Sequence, residues 1–197
     1  MITDAENIFL DMLRKQLVGV ALPPKIEGLA GRAIEDLLIS IGVPVDKQGV
    51  IDIPELDLEV KSRDKRSTSP QTAGSMTINN ILNTADWYLT PVYLKIRKQL
   101  RFTTNGHKPE INQIESIEII DFDQPQIQDQ LSASYNHSRA QLLANMNIKT
   151  CTHKGYFAYF EQVNDSNCYA FRLDSGRMDT VISMSKSTFQ NLIEYGV

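Results

Sequence analysis

Apolar residues recur at helical spacing over residues 7–17, where Ile8, Met12, Leu13 and Leu17 share a stripe. They recur again over residues 28–41 through Leu29, Ala33, Ile34, Leu37, Leu38 and Ile41. Repetition at three- and four-residue intervals marks a helix with one buried face. Gly42 closes the second helix, and Pro23-Pro24 predicts an extended linker between the two. The pattern then shortens. Residues 50–53 and 56–62 predict two strands of a β-hairpin, broken at Pro54 because proline removes a ladder donor. Residues 62–75, rich in Ser, Thr, Lys and Arg, predict a flexible loop, followed by a short apolar segment at 76–82. Residues 93–102 (YLKIRKQLRF) and 114–122 (IESIEIIDF) predict two more strands joined by a turn at Asn105-Gly106. A long helix over 126–145 rests on Ile127, Leu131, Ala140, Leu142 and Leu143. Residues 156–160, 168–173 and 180–184 predict strands, and 187–195 a closing helix. This order predicts an α/β chain with a central mixed β-sheet flanked by helices.

The chemistry concentrates in GVIDIPELDLEVKSR, residues 49–63. Side chains two apart on a strand project to the same side, so Glu59 and Lys61 become neighbours while Val60 points into the core. The break at Pro54 lets Asp52 face that pair. Two carboxylates at one spot repel, and a hard divalent cation relieves the repulsion. Mg2+ takes one or two protein carboxylates and keeps its other positions for water and phosphate oxygens. Asp52 and Glu59 are therefore the candidate metal ligands, and Lys61 the group that orients or deprotonates a water. The competing reading of a Glu-x-Lys triplet is an exposed ion pair worth under about 1 kcal/mol. Glu35, at the edge of the second helix's apolar stripe, either joins the carboxylates or pairs with Arg32 at i−3 in water.

Charge and composition narrow the picture. With 197 residues the chain can build a substantial core, and its ordinary composition suits a single globular domain. No apolar run approaches the roughly 18 residues of a membrane span. The start MITDAEN lacks the basic-then-apolar plan of a secretion signal, so a cytoplasmic location is expected. Cys151 and Cys168 lack CxxC spacing, and His107, His137 and His153 form no ligand set, so zinc is not expected. The formal charge of −4 speaks against a nonspecific nucleic-acid binder. Its distribution matters more. Lys61, Arg63, Lys65 and Arg66 follow the candidate site directly, and Lys95, Arg97, Lys98 and Arg101 form a second basic run. Both runs could meet phosphates or serve as solvated faces.

The order helix Glu35, Asp52, then Glu59-x-Lys61 resembles the PD-(D/E)xK restriction-type nucleases, and within them the MutH-like repair endonucleases and their type II restriction relatives. The carriers are GRAIEDLLISIG for the helix and DIPELDLEVKS for the hairpin, with D-x6-E-x-K spacing. PVYLKIRKQL resembles the family's later basic strand, where Lys95 takes the place of a further lysine that assists the site. The likeness runs over about residues 25–195. Ile51 stands where the family's signature proline would precede Asp52.

The resemblance implies a restriction-endonuclease-like fold and a single nuclease domain over 1–197, with a catalytic part at about 25–122 and a DNA-reading part at about 123–197. It implies a Mg2+-dependent endonuclease acting on double-stranded DNA, with Asp52, Glu59, Lys61, Glu35 and Lys95 as catalytic residues. Arg63, Lys65, Arg66, Arg97, Arg172, Arg177 and Lys186 are candidate DNA contacts, with Tyr159 beside them, since Arg and Lys serve both phosphate binding and guanine readout. A sequence-specific restriction enzyme, acting as a homodimer or by successive nicks, is the leading expectation. A nickase activated by a mismatch-recognition partner, a noncatalytic DNA-binding module, and a structural domain with an accidental motif are the alternatives.

Overall fold

The computed structural model describes residues 2–23, 30–65, 71–77, 83–105, 112–144, 151–153, 156–164, 167–174 and 177–184. Its contacts divide the chain into two units, Met1–Thr68 with Arg97–Phe122, and Ser69–Ile96 with Asp123–Val197. Residues 69–96, within the expected catalytic part, thus group with the second unit.

Helix α1 spans Asp4–Leu17 and starts earlier than its apolar stripe because Thr3 caps it. The Thr3 hydroxyl accepts the Glu6 N–H at 3.2 Å, and Glu6 Oε2 accepts the Thr3 N–H at 2.6 Å. This reciprocal box satisfies two otherwise orphaned donors. Glu6 also accepts from Lys98 Nζ at 2.7 Å. Burial pushes its carboxyl up, but the bonds from Lys98 and Thr3 outweigh this and hold it below the ordinary value. Replacing Thr3 with Ala is expected to cost about 1 kcal/mol. A urea titration of the full chain reads this as a lower midpoint, and an unchanged midpoint would show that the cap contributes nothing.

Helix α2 spans Ala30–Ser40. Gly42, at φ +88°, ends it as expected: its N–H reaches the Ile39 carbonyl at 3.0 Å and the Val43 N–H reaches Leu38 at 3.0 Å. Both helices cover a three-stranded mixed sheet of order β1-β3-β4, made of Glu59–Asp64 (β1), Lys98–Thr104 (β3) and Ile114–Asp121 (β4). Strands β1 and β3 are parallel, β3 and β4 antiparallel. Helix α1 lies against β4 and α2 against β1.

Alternation along these strands separates two faces. Val60, Leu100, Phe102, Ile117 and Ile119 are buried with Leu10, Leu13 and Leu17 of α1 and Ile34 and Leu38 of α2. The opposite face carries Glu59 and Lys61, in register with Gln99 and Arg101, and then Glu118 opposite Arg101. The sheet therefore sets a core on one side and charge on the other.

The second unit holds a five-stranded antiparallel sheet of order β2-β8-β7-β6-β5. Its strands are Gln71–Thr77 (β2), Cys151–His153 (β5), Tyr156–Asn164 (β6), Asn167–Asp174 (β7) and Arg177–Met184 (β8). Strands β2 and β5 were not expected. Part of the predicted 62–75 loop is strand, since β1 runs to Asp64 and β2 begins at Gln71. Helices Pro91–Arg97 (α3) and Pro125–Ala144 (α4) complete the described elements. Trp87 is buried beside α4, its indole N–H donating to Gln128 Oε1 at 2.9 Å and its ring 5.5 Å from that of Tyr135.

Residues 93–102 do not form one strand. Helix α3 takes 91–97 and β3 begins at Lys98. The reason is local: the Thr90 hydroxyl accepts the Tyr93 N–H at 3.1 Å, Pro91 stands just inside the helix, and Val92 and Ile96 are buried one turn apart. The expected helix at 187–195, the Pro23-Pro24 linker beyond Pro23, and the Asn105-Gly106 turn beyond Asn105 lie outside the described residues. No helix among the described residues is long and apolar enough to cross a membrane.

Candidate active site

The expected first strand of the hairpin, residues 50–53, does not form. Asp46 folds this segment on itself, its Oδ1 accepting from the N–H groups of Gln48 at 3.0 Å and Gly49 at 2.8 Å. Its own N–H donates to the Asp52 carbonyl at 2.8 Å. The last of these bonds takes up a backbone acceptor that a strand over 50–53 would use for its ladder. Pro54–Leu56 then forms one 3-10 turn, bracketed by a bridge between Ile53 and Leu58.

The loop nevertheless brings Asp52 to the backbone of β1 beside Glu59. Asp52 Oδ2 accepts the backbone N–H of Val60 at 2.8 Å, which sets the carboxylate against the Glu59–Val60 peptide. On β1, Lys61 Nζ lies 2.5 Å from Glu59 Oε1, with the Glu59 side chain 4% exposed and that of Lys61 25%. A surface ion pair would leave both heads in water. Here the carboxylate is buried, and burying a charge is costly unless the site gives something back.

Glu35 of α2 senses the same cluster. Burial raises its carboxyl above the ordinary value, the charge of Asp52 raises it further, Lys47 works against this, and Asp36 and Glu59 add smaller upward pushes. Lys47 itself is ion-paired with Asp36. The sign for stability follows from linkage: a carboxyl raised on folding weakens the fold as it ionises, so the penalty is full above the folded-state value and absent below the unfolded one. Glu35→Gln is expected to raise stability at neutral pH, with the gain fading as pH falls towards about 4 and absent below it. Thermal unfolding of the two chains at several pH values reads this directly; a gain that persisted at low pH would contradict it.

The field that raises Glu35 is also what a divalent cation would relieve. Among the described residues no three His, Cys, Asp or Glu side chains stand together as a self-sufficient metal site. Two carboxylates with solvent and phosphate oxygens are enough for Mg2+, and Asp52 with Glu59 supply that number. The donor set is hard oxygen throughout, which fits Mg2+ better than a softer metal.

The other expected site residues fall in different places. Lys95 stands on helix α3 rather than on a strand, and it belongs to the second unit. The cation beside Lys61 on the neighbouring strand is Arg101, almost wholly buried, whose Nε and Nη2 donate to Gln99 Oε1 at 3.1 and 2.5 Å. Burial pulls the Arg101 guanidinium down to about 9, with Glu118 opposing and Arg63 adding to the shift, so it stays cationic at neutral pH. Gln99 and Arg101 come beside Glu59 and Lys61 through the β1–β3 register, for which the sequence held no local signal.

Arg63 shares the face of Lys61 and is half-buried, and burial lowers its value. Lys65 pairs with Glu115 and Arg97 with Asp57, while Lys98 is taken by Glu6. The second basic run is thus dispersed by the fold. Tyr159, Arg172 and Arg177 lie on β6, β7 and β8, and Arg66 and Lys186 lie outside the described residues. No family model matches the chain, and no curated protein matches it.

Proposed function

We propose that the chain is a Mg2+-dependent DNA endonuclease of the restriction-endonuclease-like fold, acting at Asp52, Glu59 and Lys61. The observation that carries this is the convergence of Asp52 on the Glu59–Val60 peptide, beside a Glu59–Lys61 pair whose carboxylate is buried. A structural ion pair needs no second carboxylate bonded to the adjoining peptide, and the carboxyl of Glu35, raised first by burial and then by the charge of Asp52, is consistent with charge gathered there for a cation.

Asp52 and Glu59 would hold Mg2+, and Glu35 would bind it through water or orient Lys61. When bound, the cation supplies polarisation of the scissile phosphate and a lowered pKa for a bound water. Lys61, fixed by Glu59, would orient the attacking water and stabilise charge as it develops on the phosphate oxygens. Arg63, two residues further on the same face, is placed for a phosphate contact. The strands with Tyr159, Arg172 and Arg177 are the candidate reader of base edges, with Lys186 and Arg66 as further cationic contacts.

A sequence-specific restriction enzyme is favoured within this reading, because the second unit carries an antiparallel sheet of its own, with Tyr159, Arg172 and Arg177 on its strands, as a candidate base reader. Incubation with varied linear and circular DNA, followed by sequencing of the new ends, tests it. Discrete fragments with a shared end sequence are expected. Open circles alone would replace the restriction reading with a repair nickase dependent on a recognition partner, and tight DNA binding without any cutting would leave a noncatalytic module.

A further inference from the structure

The turn between Asp52 and Glu59 is held more tightly than its length requires. Ile53 N–H donates to the Leu58 carbonyl at 2.9 Å and Leu58 N–H returns to Ile53 at 3.1 Å, with the 3-10 turn between them. Asp57 closes the turn at φ 55°, ψ 41°, and among the described residues it is the one non-glycine position with positive φ. Aspartate tolerates the left-handed region better than most residues, yet the conformation is still uphill and persists where the surroundings hold it.

Arg97 supplies that hold. Its Nη1 lies 3.0 Å from Asp57 Oδ2, with both side chains about a third exposed, 30% and 35%. Arg97 is no loose surface side chain: its carbonyl accepts the Phe122 N–H at 2.8 Å, and it stands directly before β3, the strand paired with β1. The geometry points to Arg97 and Asp57 as a positioning pair. From the head of β3, Arg97 clamps the turn that sets Asp52 against the Glu59–Val60 peptide. This also gives Arg97 a task other than meeting a DNA phosphate.

The inference rests on the reading of Asp52 and Glu59 as the cation-holding carboxylates, and the test keeps the two apart. Asp57→Asn keeps a side chain suited to the left-handed backbone and deletes the charge. Arg97→Gln deletes the other charge, and Arg97→Lys keeps it. In the full chain, hydrogen exchange at the Val60 amide, which donates to Asp52, is expected to quicken by about fivefold in Asp57→Asn and Arg97→Gln, the factor an ion pair of this exposure can supply. Arg97→Lys restores most of the protection. In Asp57→Asn the Mg2+ concentration for half-maximal DNA cutting rises by a similar factor, and the rate recovers at saturating Mg2+.

Unchanged Val60 exchange in both charge-deleting variants overturns the inference. So does an equal loss of protection across all three strands, because the pair would then serve the fold at large. Asp57→Gly, which removes the charge at no backbone cost, keeps the test open should Asp57→Asn fold poorly. If the unaltered chain cuts no DNA, the nuclease reading fails on its own, while Val60 exchange still decides whether the clamp exists.

Discussion

Glu59→Gln is expected to lower Mg2+-dependent DNA cleavage by about 1,000-fold while leaving the chain folded, the scale set by losing a central electrostatic or proton-transferring group. The substitution changes almost no volume and sits on β1, where the strand pairing with Gln99 is made by the backbone. Its effect is therefore on charge. Glu59 loses its hold on the cation and on Lys61 Nζ, 2.5 Å away. Lys61→Ala should match it in rate but not in stability. It takes away the cation 2.5 Å from a buried carboxylate, and breaking such a pair from one side costs on the order of 3 kcal/mol. Cleavage rates and urea titrations on the three chains separate the two contributions. A Glu59→Gln chain that cuts at the original rate would place the chemistry elsewhere.

Phe102→Ala is the substitution expected to damage the fold most. The side chain has no exposure, lies in register with Ser62 on β1 and Ile117 on β4, and belongs to the core that α1 and α2 cover. Truncating a buried phenylalanine costs about 3–5 kcal/mol, through lost transfer energy and the cavity left behind. Domains of this size are stable by only about 5–15 kcal/mol, so much of the margin would go. The charged face should follow, because Arg101 directly precedes Phe102 on β3 and Gln99 lies two residues before Arg101. A guanidinium titration followed by circular dichroism measures the loss. A cost under about 1 kcal/mol would mean that β3 does not present Phe102 to this core.

How much of this was legible in the chain depends on length and period. The helices α1, α2 and α4 and the strands β4, β6, β7 and β8 each carry a sustained pattern, and the sequence placed them within a few residues. The segment YLKIRKQLRF defeated the same method because ten residues of mixed apolar and basic character fit either period. Its first half obeys the helical spacing of Val92 and Ile96, and its second half alternates as β3. Thr90-Pro91 was the start signal that would have divided it. Strand β2 was hidden because Ala73 and Gly74 within it are poor strand formers, and its partner β8 lies far along the chain.

At the site the sequence expected Asp52 on a strand facing Glu59 and Lys61, and the structure places it in a loop bonded to the Val60 N–H. Asp52 meets the Glu59–Val60 peptide through a loop folded by Asp46 and a 3-10 turn, which no alternation rule describes. Lys95 was assigned to a strand on the same mistaken period, and Arg101 was grouped with exposed cations although the register buries it beside Lys61. Contacts across strands come from pairing, and pairing is not written in any one segment.

The most direct test is incubation of supercoiled plasmid with the purified chain at low salt, in Mg2+ and in EDTA. The account predicts conversion to linear or open-circular DNA in Mg2+ alone. Supercoiled DNA left intact in Mg2+ across plasmids of varied sequence, with no binding of the chain to it, would contradict the assignment of Asp52, Glu59 and Lys61 to phosphodiester cleavage.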